Sequence, residues 1–385
     1  MTGQEDGAAK PRVASIHHPD IMSPTSQAGM GVPGLDGHGA GLPRLCLVGP
    51  MLGRHPGRVV SQGEILAEAL RGEGVPVLCT SSALSRYRRP AEMLATLVAR
   101  RRDYDVVGLL VFSGPSFALA DLVSRVARML RKPVVMFLHG GALPTQFART
   151  PARCRRVLGR AAALVAPSPF LARAAGTLGF DVVVIPNIID LTRYSHRWRD
   201  RPEPRLLWMR AFDPIYNPEL AIHVLERVRR IVPDATLVMA GQDNGLEREM
   251  HELASRLGLA GAVTFPGYLD MESKLRAMDW ADIFLNTNRV DNMPVSVVEA
   301  CAKGMAVVAT AVGGLPDLIT NGVDGLLVPS DDADAMAAAV LRVLREPDLS
   351  GRLSMGGRVL AEWSSWERVF PQFADIFRRA ADIRP

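Results

Sequence analysis

Lysine is scarce in this 385-residue chain: Lys10, Lys132, Lys274 and Lys303 are the only four, and arginine supplies the rest of the 45 basic residues. Forty acidic residues nearly cancel them and leave a formal charge of +5. With no Lys/Arg block interleaved with aromatics, nucleic acid is not an expected partner. Cysteine is equally rare. Cys46, Cys79, Cys154 and Cys301 are scattered, with no C-x-x-C and no nearby histidine pair. That argues against a zinc site or a disulfide framework and fits a reducing cytoplasm. No basic region followed by an apolar run opens the chain, so no secretory leader is read there. Long apolar runs are missing too. The most apolar window, "DVVGLLVFSGPSFALADLV", is broken by Gly114-Pro115 and dotted with polar residues. It reads as a buried strand, a loop and a helix start rather than a membrane span.

What is present is a 48% apolar composition on a chain long enough for two domains. Residues 1–43 are rich in Gly, Pro, Ser and His without apolar periodicity, and are expected to form a disordered tail in which His17-His18 are simply solvated. From "RLCLVG" onward, short apolar runs alternate with amphipathic segments: "VPVLCT", "DVVGLLVF", "PVVMFLHG", "ALVAPS" and "DVVVIPN" read as strands. Patterning lapses into charge and proline around "LTRYSHRWRDRPEP", which marks a domain boundary. A second series follows, with strands "RLLWMRAF", "ATLVMAGQ", "AVTFPGYL", "DIFLNTN", "MAVVATAVGG" and "DGLLVPS". The expected class is α/β, with two Rossmann-like, doubly wound parallel-sheet domains facing across a cleft. The domains are placed at 44–195 and 200–362, with an amphipathic terminal helix, 363–385, joined to the first.

The stretch "NTNRVDNMPVSVVEACAKG" sets Asp291 in a loop after a strand and Glu299 beyond Pro294 in a helix. Pro294 suits a first helical position, and the helix N-terminus with its open N–H groups suits a phosphate. Side chains lean back toward a helix N-terminus, so Glu299 can reach a group beside that phosphate. A carboxylate matches the vicinal hydroxyls of a ribose, and Asp291 can accept from a sugar beyond the phosphates. The alternative is structural: Glu299 pairs with Lys303 one turn on, and Asp291 caps the helix.

Asp291 to Pro329, with the acid pair eight apart, "GG-x-P" and "NG-x-x-G-LLVP", resembles the donor-site signature of retaining GT-B glycosyltransferases of family 4. "FLHGG" with His139, "VAPSPFLA", "VIPNIID" with Asn187 and Asp190, "MAGQDNG" with Gly241 and "FPGYL" with Gly267 fall in the family's order. The resemblance implies transfer of a hexose from a nucleoside-diphosphate sugar to a hydroxyl acceptor, a glycan or lipid-linked intermediate, with retention and without a bound metal or cofactor. It implies His139, Asp291 and Arg210 as catalytic residues. Glu299, Asn292, Met293, Pro294, Val295, Gly241 and Gly267 would line the donor site, and Gly57 the loop beside phosphate and acceptor.

Two positions depart from the family pattern. The first acid is Asp291 rather than Glu, and "WMRAFDPIYNPEL" keeps Arg210 but has Asn217 about where a phosphate-binding lysine is usual. Asn217-Pro218 also reads as a plain helix cap and first turn. These departures motivate a second reading, a catalytically weak homologue that binds sugar nucleotide as a scaffold. A third, a nicotinamide-dependent oxidoreductase, is opposed by the absence of a G-x-G-x-x-G after either domain's first strand. Arginines in "LSRYRRPAEMLATLVARRRDYD" and "RTPARCRRVLGR" are either solvated faces or a seat on anionic lipid. The expected location is the cytoplasm, with peripheral contact at the inner face of the cell membrane.

Overall fold

Short runs of Val, Leu, Ile and Ala, bounded by glycine or proline, form twelve strands in two six-stranded sheets of a computed structural model. It describes residues 41–383 except 54, 56–58 and 86. The tail expected over 1–43 falls almost entirely outside the described residues, as do His17, His18 and Gly57.

The first sheet contains β1 (Leu45–Val48), β2 (Val77–Thr80), β3 (Val106–Val111), β4 (Val134–Leu138), β5 (Ala163–Ala166) and β6 (Val183–Val184). Its helices are α1 (Gln62–Gly72), α2 (Arg88–Ala99), α3 (Pro115–Met129), α4 (Leu143–Arg149), α5 (Pro151–Leu158) and α6 (Pro169–Gly176). The second sheet contains β7 (Arg205–Met209), β8 (Thr236–Ala240), β9 (Val263–Gly267), β10 (Ile283–Asn286), β11 (Ala306–Thr310) and β12 (Leu326–Val328). Around it lie α7 (Pro218–Arg229), α8 (Glu247–Arg256), α9 (Met271–Trp280), α10 (Val295–Ala302), α11 (Leu315–Leu318), α12 (Ala333–Arg345) and α13 (Leu349–Glu362). The last helix, α14 (Trp366–Asp382), returns to the first sheet. Its Phe370, Phe373 and Phe377 share a core with Leu45, Leu47 and Phe137. Each such buried aromatic contributes about 1.5–3 kcal/mol, which anchors the returning helix.

All strand pairs are parallel. The orders are β2-β1-β3-β4-β5-β6 and β12-β11-β10-β7-β8-β9. In the second sheet the winding reverses between β7 and β10, so the loops leaving these neighbours diverge and open a crevice at their carboxyl ends. That crevice is where Arg210 and Asp291 lie. The crossing segment before β7 is charged but not loose. Arg199 is buried, and its guanidinium donates to the carbonyl of Met278 at 2.8 Å and to Asp282 Oδ1 at 3.1 Å.

Candidate functional site

Arg210 follows β7 directly, and its guanidinium forms an ion pair with Asp291, which follows β10. Asn288 Nδ2 donates to the same Asp291 oxygen, and the N–H of Asn292 donates to the other at 2.7 Å. Arg210 also lies over the Tyr216 ring, 4.6 Å from its centroid. Its Nε is buried and has no hydrogen-bond partner among the described residues. A buried donor left unmatched by protein can be met by a water or by a ligand acceptor.

Backbone approach shapes this corner. Gly241, just after β8, lies so close to the Arg210 carbonyl that a side chain there would overlap it. Its N–H donates to the Gly267 carbonyl at 2.9 Å, linking the ends of β8 and β9. Gly241 therefore serves the close approach of the chain, and Gly267 stands beside it. Gly313 has φ +56° and abuts the Asp291 carbonyl, where a Cβ would collide. That contact explains the first glycine of "GG-x-P".

The turn Asn292-Met293-Pro294 touches the first sheet's domain. Asn292 Oδ1 accepts from Ser168, the N-cap of α6. Asn187 Nδ2 donates to the Met293 carbonyl at 2.9 Å, and its backbone N–H to Met293 Sδ at 3.2 Å. Arg173 on α6 pairs with Asp317 at 2.8 Å. Gly141, two residues after His139, packs so tightly that an added Cβ would lie 2.8 Å from Val290 Cγ1 and 3.1 Å from the Asp291 carbonyl carbon. The His139 loop and the Asp291 loop thus meet.

Pro294 is not the first helical residue as expected. With φ −68° and ψ 116° it is the N-cap, and α10 begins at Val295. The N–H of Val297 donates to the Pro294 carbonyl at 3.1 Å, leaving those of Val295 and Ser296 as the open donors of that end. Glu299 is buried one turn further along. Its Oε1 accepts from Tyr194 Oη at 2.6 Å and from Lys274 Nζ at 2.7 Å. The alternative pair with Lys303 does not form, because Lys303 turns to Asp279 Oδ1 at 2.5 Å. Burial and the Glu299 carboxylate push the Tyr194 phenol upward, so it stays a donor.

Asp291 caps no helix. Asn217 is the N-cap residue of α7, but it sits at φ 49° with no side-chain cap bond; its Nδ2 donates to Asp331 at 2.9 Å instead. The expectation of a conventional cap is corrected, because a left-handed residue aims its side chain away from the helix N–H groups.

His139 follows β4, with its N–H donating to the Val111 carbonyl at 2.8 Å and its ring stacked on Phe112 at 5.7 Å. Burial lowers its pKa to about 4, so it is a neutral imidazole near pH 7. It borders a cavity of about 20 Å³ with Asn187 and Pro167, room for about one water. Among the described residues no three His, Cys, Asp or Glu converge as a metal-ligand set. None of the described helices is long and apolar enough to cross a membrane.

Sequence reasoning missed Tyr194, Lys274, Ser168 and Asn288. Tyr194 lay in the segment read as a boundary. Lys274 carried a usable signal, being one of four lysines in an arginine-rich chain.

Two parallel six-stranded sheets meeting through the loops at their strand ends define the GT-B architecture. The chain belongs to glycosyltransferase family 4: residues 51–193 match the model for "Glycosyltransferase Family 4" and 196–359 that for "Glycosyl transferases group 1". A D-inositol 3-phosphate glycosyltransferase of Saccharomonospora viridis is 36% identical over 40% of this chain and 35% of its own length. A phosphatidyl-myo-inositol mannosyltransferase of Mycolicibacterium smegmatis is 32% identical over 45% of each chain. The chain thus spans less than half the length of these two curated relatives. Among solved structures, Anabaena HepE in complex with UDP and glucose superposes with a TM-score of 0.68 at 19% identity, covering 86% of this chain and 98% of that one. Sucrose-phosphate synthase from Thermosynechococcus elongatus gives 0.71 at 18% identity, covering 87% and 98%. At these identities the likeness speaks to the fold.

Proposed function

We propose that the protein is a retaining glycosyltransferase that moves a hexose from a nucleoside-diphosphate sugar to a hydroxyl acceptor. The observation that carries this reading is Arg210, with its buried, unmatched Nε, paired to Asp291 at the switch point between β7 and β10. Arg210 and the open N–H groups of α10 would hold the diphosphate and stabilise it as it leaves. Glu299 would accept from the ribose hydroxyls. Asp291, Asn292, Met293 and Val295 would line the sugar and phosphate. His139 would contact the transferred hexose as a neutral hydrogen-bonding group. Catalysis would rest on leaving-group stabilisation and positioning, with protein cations rather than a metal ion neutralising the phosphates.

The acceptor would be a glycan or a lipid-linked molecule. The relatives named as acting on phosphatidyl-inositol support the lipid version, together with the exposed Tyr87 and Arg88 at the start of α2, which suit peripheral contact with an anionic membrane at its cytoplasmic face. A thermal-shift screen of the purified chain against UDP-, GDP- and ADP-sugars tests the donor. Stabilisation by one series, followed by transfer to a hydroxyl acceptor, is the expected result. Stabilisation without turnover favours the scaffold reading, and no response to any sugar nucleotide rejects both.

A further inference from the structure

We propose that Lys274 is a positioning residue for the nucleotide end of the site, holding the Glu299 carboxylate in place and cancelling its charge beside the diphosphate; this rests on the glycosyltransferase reading. The loop's own cation is shared, since Arg210 is paired with Asp291 and keeps its Nε unmatched. Asn217, where a second cation would stand, faces Asp331. Of the three lysines among the described residues, Lys132 donates to the Tyr104 carbonyl in the first domain and Lys303 pairs with Asp279. Lys274 alone reaches the motif's acid pair.

It does so from a different element. Lys274 lies in the first turn of α9, just beyond the carboxyl end of β9, on the ligand side of the sheet. Its ammonium is 2.7 Å from Glu299 Oε1 and 3.2 Å from Tyr194 Oη, with its side chain only 17% exposed. Two of its three N–H groups are thereby used, and the third is open to a ligand oxygen. Both partners hold the same carboxylate oxygen, which fixes the rotamer of Glu299 and leaves Oε2 for a pair of hydroxyls.

The charge matters as much as the orientation. A buried carboxylate beside a diphosphate is a like-charge contact in a medium of low dielectric. With Lys274 in place, Glu299 presents a hydrogen-bond acceptor whose net charge is cancelled. Without it, the carboxylate repels the anion it is meant to help bind.

The test is calorimetric titration of the full chain and its variants with UDP, GDP and ADP, and with the matching nucleosides. Lys274→Met should weaken binding of the preferred diphosphate about tenfold or more, with a smaller loss for the nucleoside. Lys274→Arg should restore most of the affinity. Lys274→Met combined with Glu299→Gln should bind better than the product of the two single losses, because the bare charge is gone; this pair also covers poor folding of the single variant. Wild-type affinity in Lys274→Met overturns the proposal. So do losses that multiply in the double variant without rescue by arginine, the pattern of a merely structural lysine. A wild-type chain that binds no nucleotide overturns the glycosyltransferase reading along with it.

Discussion

Arg210 and Asp291, 81 residues apart, form an ion pair in which the Asp291 carboxylate also accepts from Asn288 and from its own neighbour's N–H. The shorter acid, Asp where the family pattern has Glu, fits this closed arrangement. Asp291→Asn removes the partner of Arg210 without removing volume. It should keep or improve affinity for the free nucleoside diphosphate and lose turnover with the intact donor, since sugar orientation sets the attack geometry. Parallel titrations and initial rates decide this. A matched loss in both would refute a sugar-facing role.

Arg210→Ala should be severe for catalysis. It removes a charge-assisted donor worth about 1.5–3 kcal/mol and leaves the Asp291 carboxylate without its counter-charge. A catalytic efficiency near wild type would mean that the diphosphate is held elsewhere.

Glu299→Gln should weaken binding of both diphosphate and sugar nucleotide by about 1.5–3 kcal/mol. Tyr194→Phe, which removes one donor to the same oxygen, should give a smaller loss in the same direction. Unchanged nucleotide affinity in a folded Glu299→Gln protein would sink the ribose assignment.

Gly141→Ala should lower turnover at constant fold, because the added methyl pushes the His139 loop off Val290 and Asp291. Circular dichroism should be unchanged while the rate falls. A fully active variant would show that this approach is not needed for catalysis.

The His139 pKa is lowered to about 4 from an ordinary 6.5. Between those values the unfolded chain binds the proton and the folded one does not, so stability falls as pH drops through that window. The full loss is at most about 3.4 kcal/mol below pH 4. Thermal midpoints of wild type and His139→Gln should therefore converge or cross as pH falls from 7 to 4. Parallel curves would contradict the burial of a neutral ring.

Local pattern determined much of this protein on its own. Short apolar runs punctuated by glycine and proline and alternating with amphipathic segments read as buried parallel strands, so the two sheets and the position of Asp291 at a strand's carboxyl end were legible from the chain. The resemblance to family 4 was legible in the glycine spacings, which the contact of Gly313 with Asp291 explains sterically. Side-chain partners were not legible. Helical spacing offered Lys303 to Glu299, yet Lys303 caps the end of α10 and turns to Asp279, while Tyr194, 105 residues away, and Lys274 take the carboxylate. Asn217 kept a cap's position but took a left-handed backbone that points it at Asp331. Strand formation is decided by neighbours along the chain; which charge meets which in a buried crevice is decided by elements that only the packed sheets bring together.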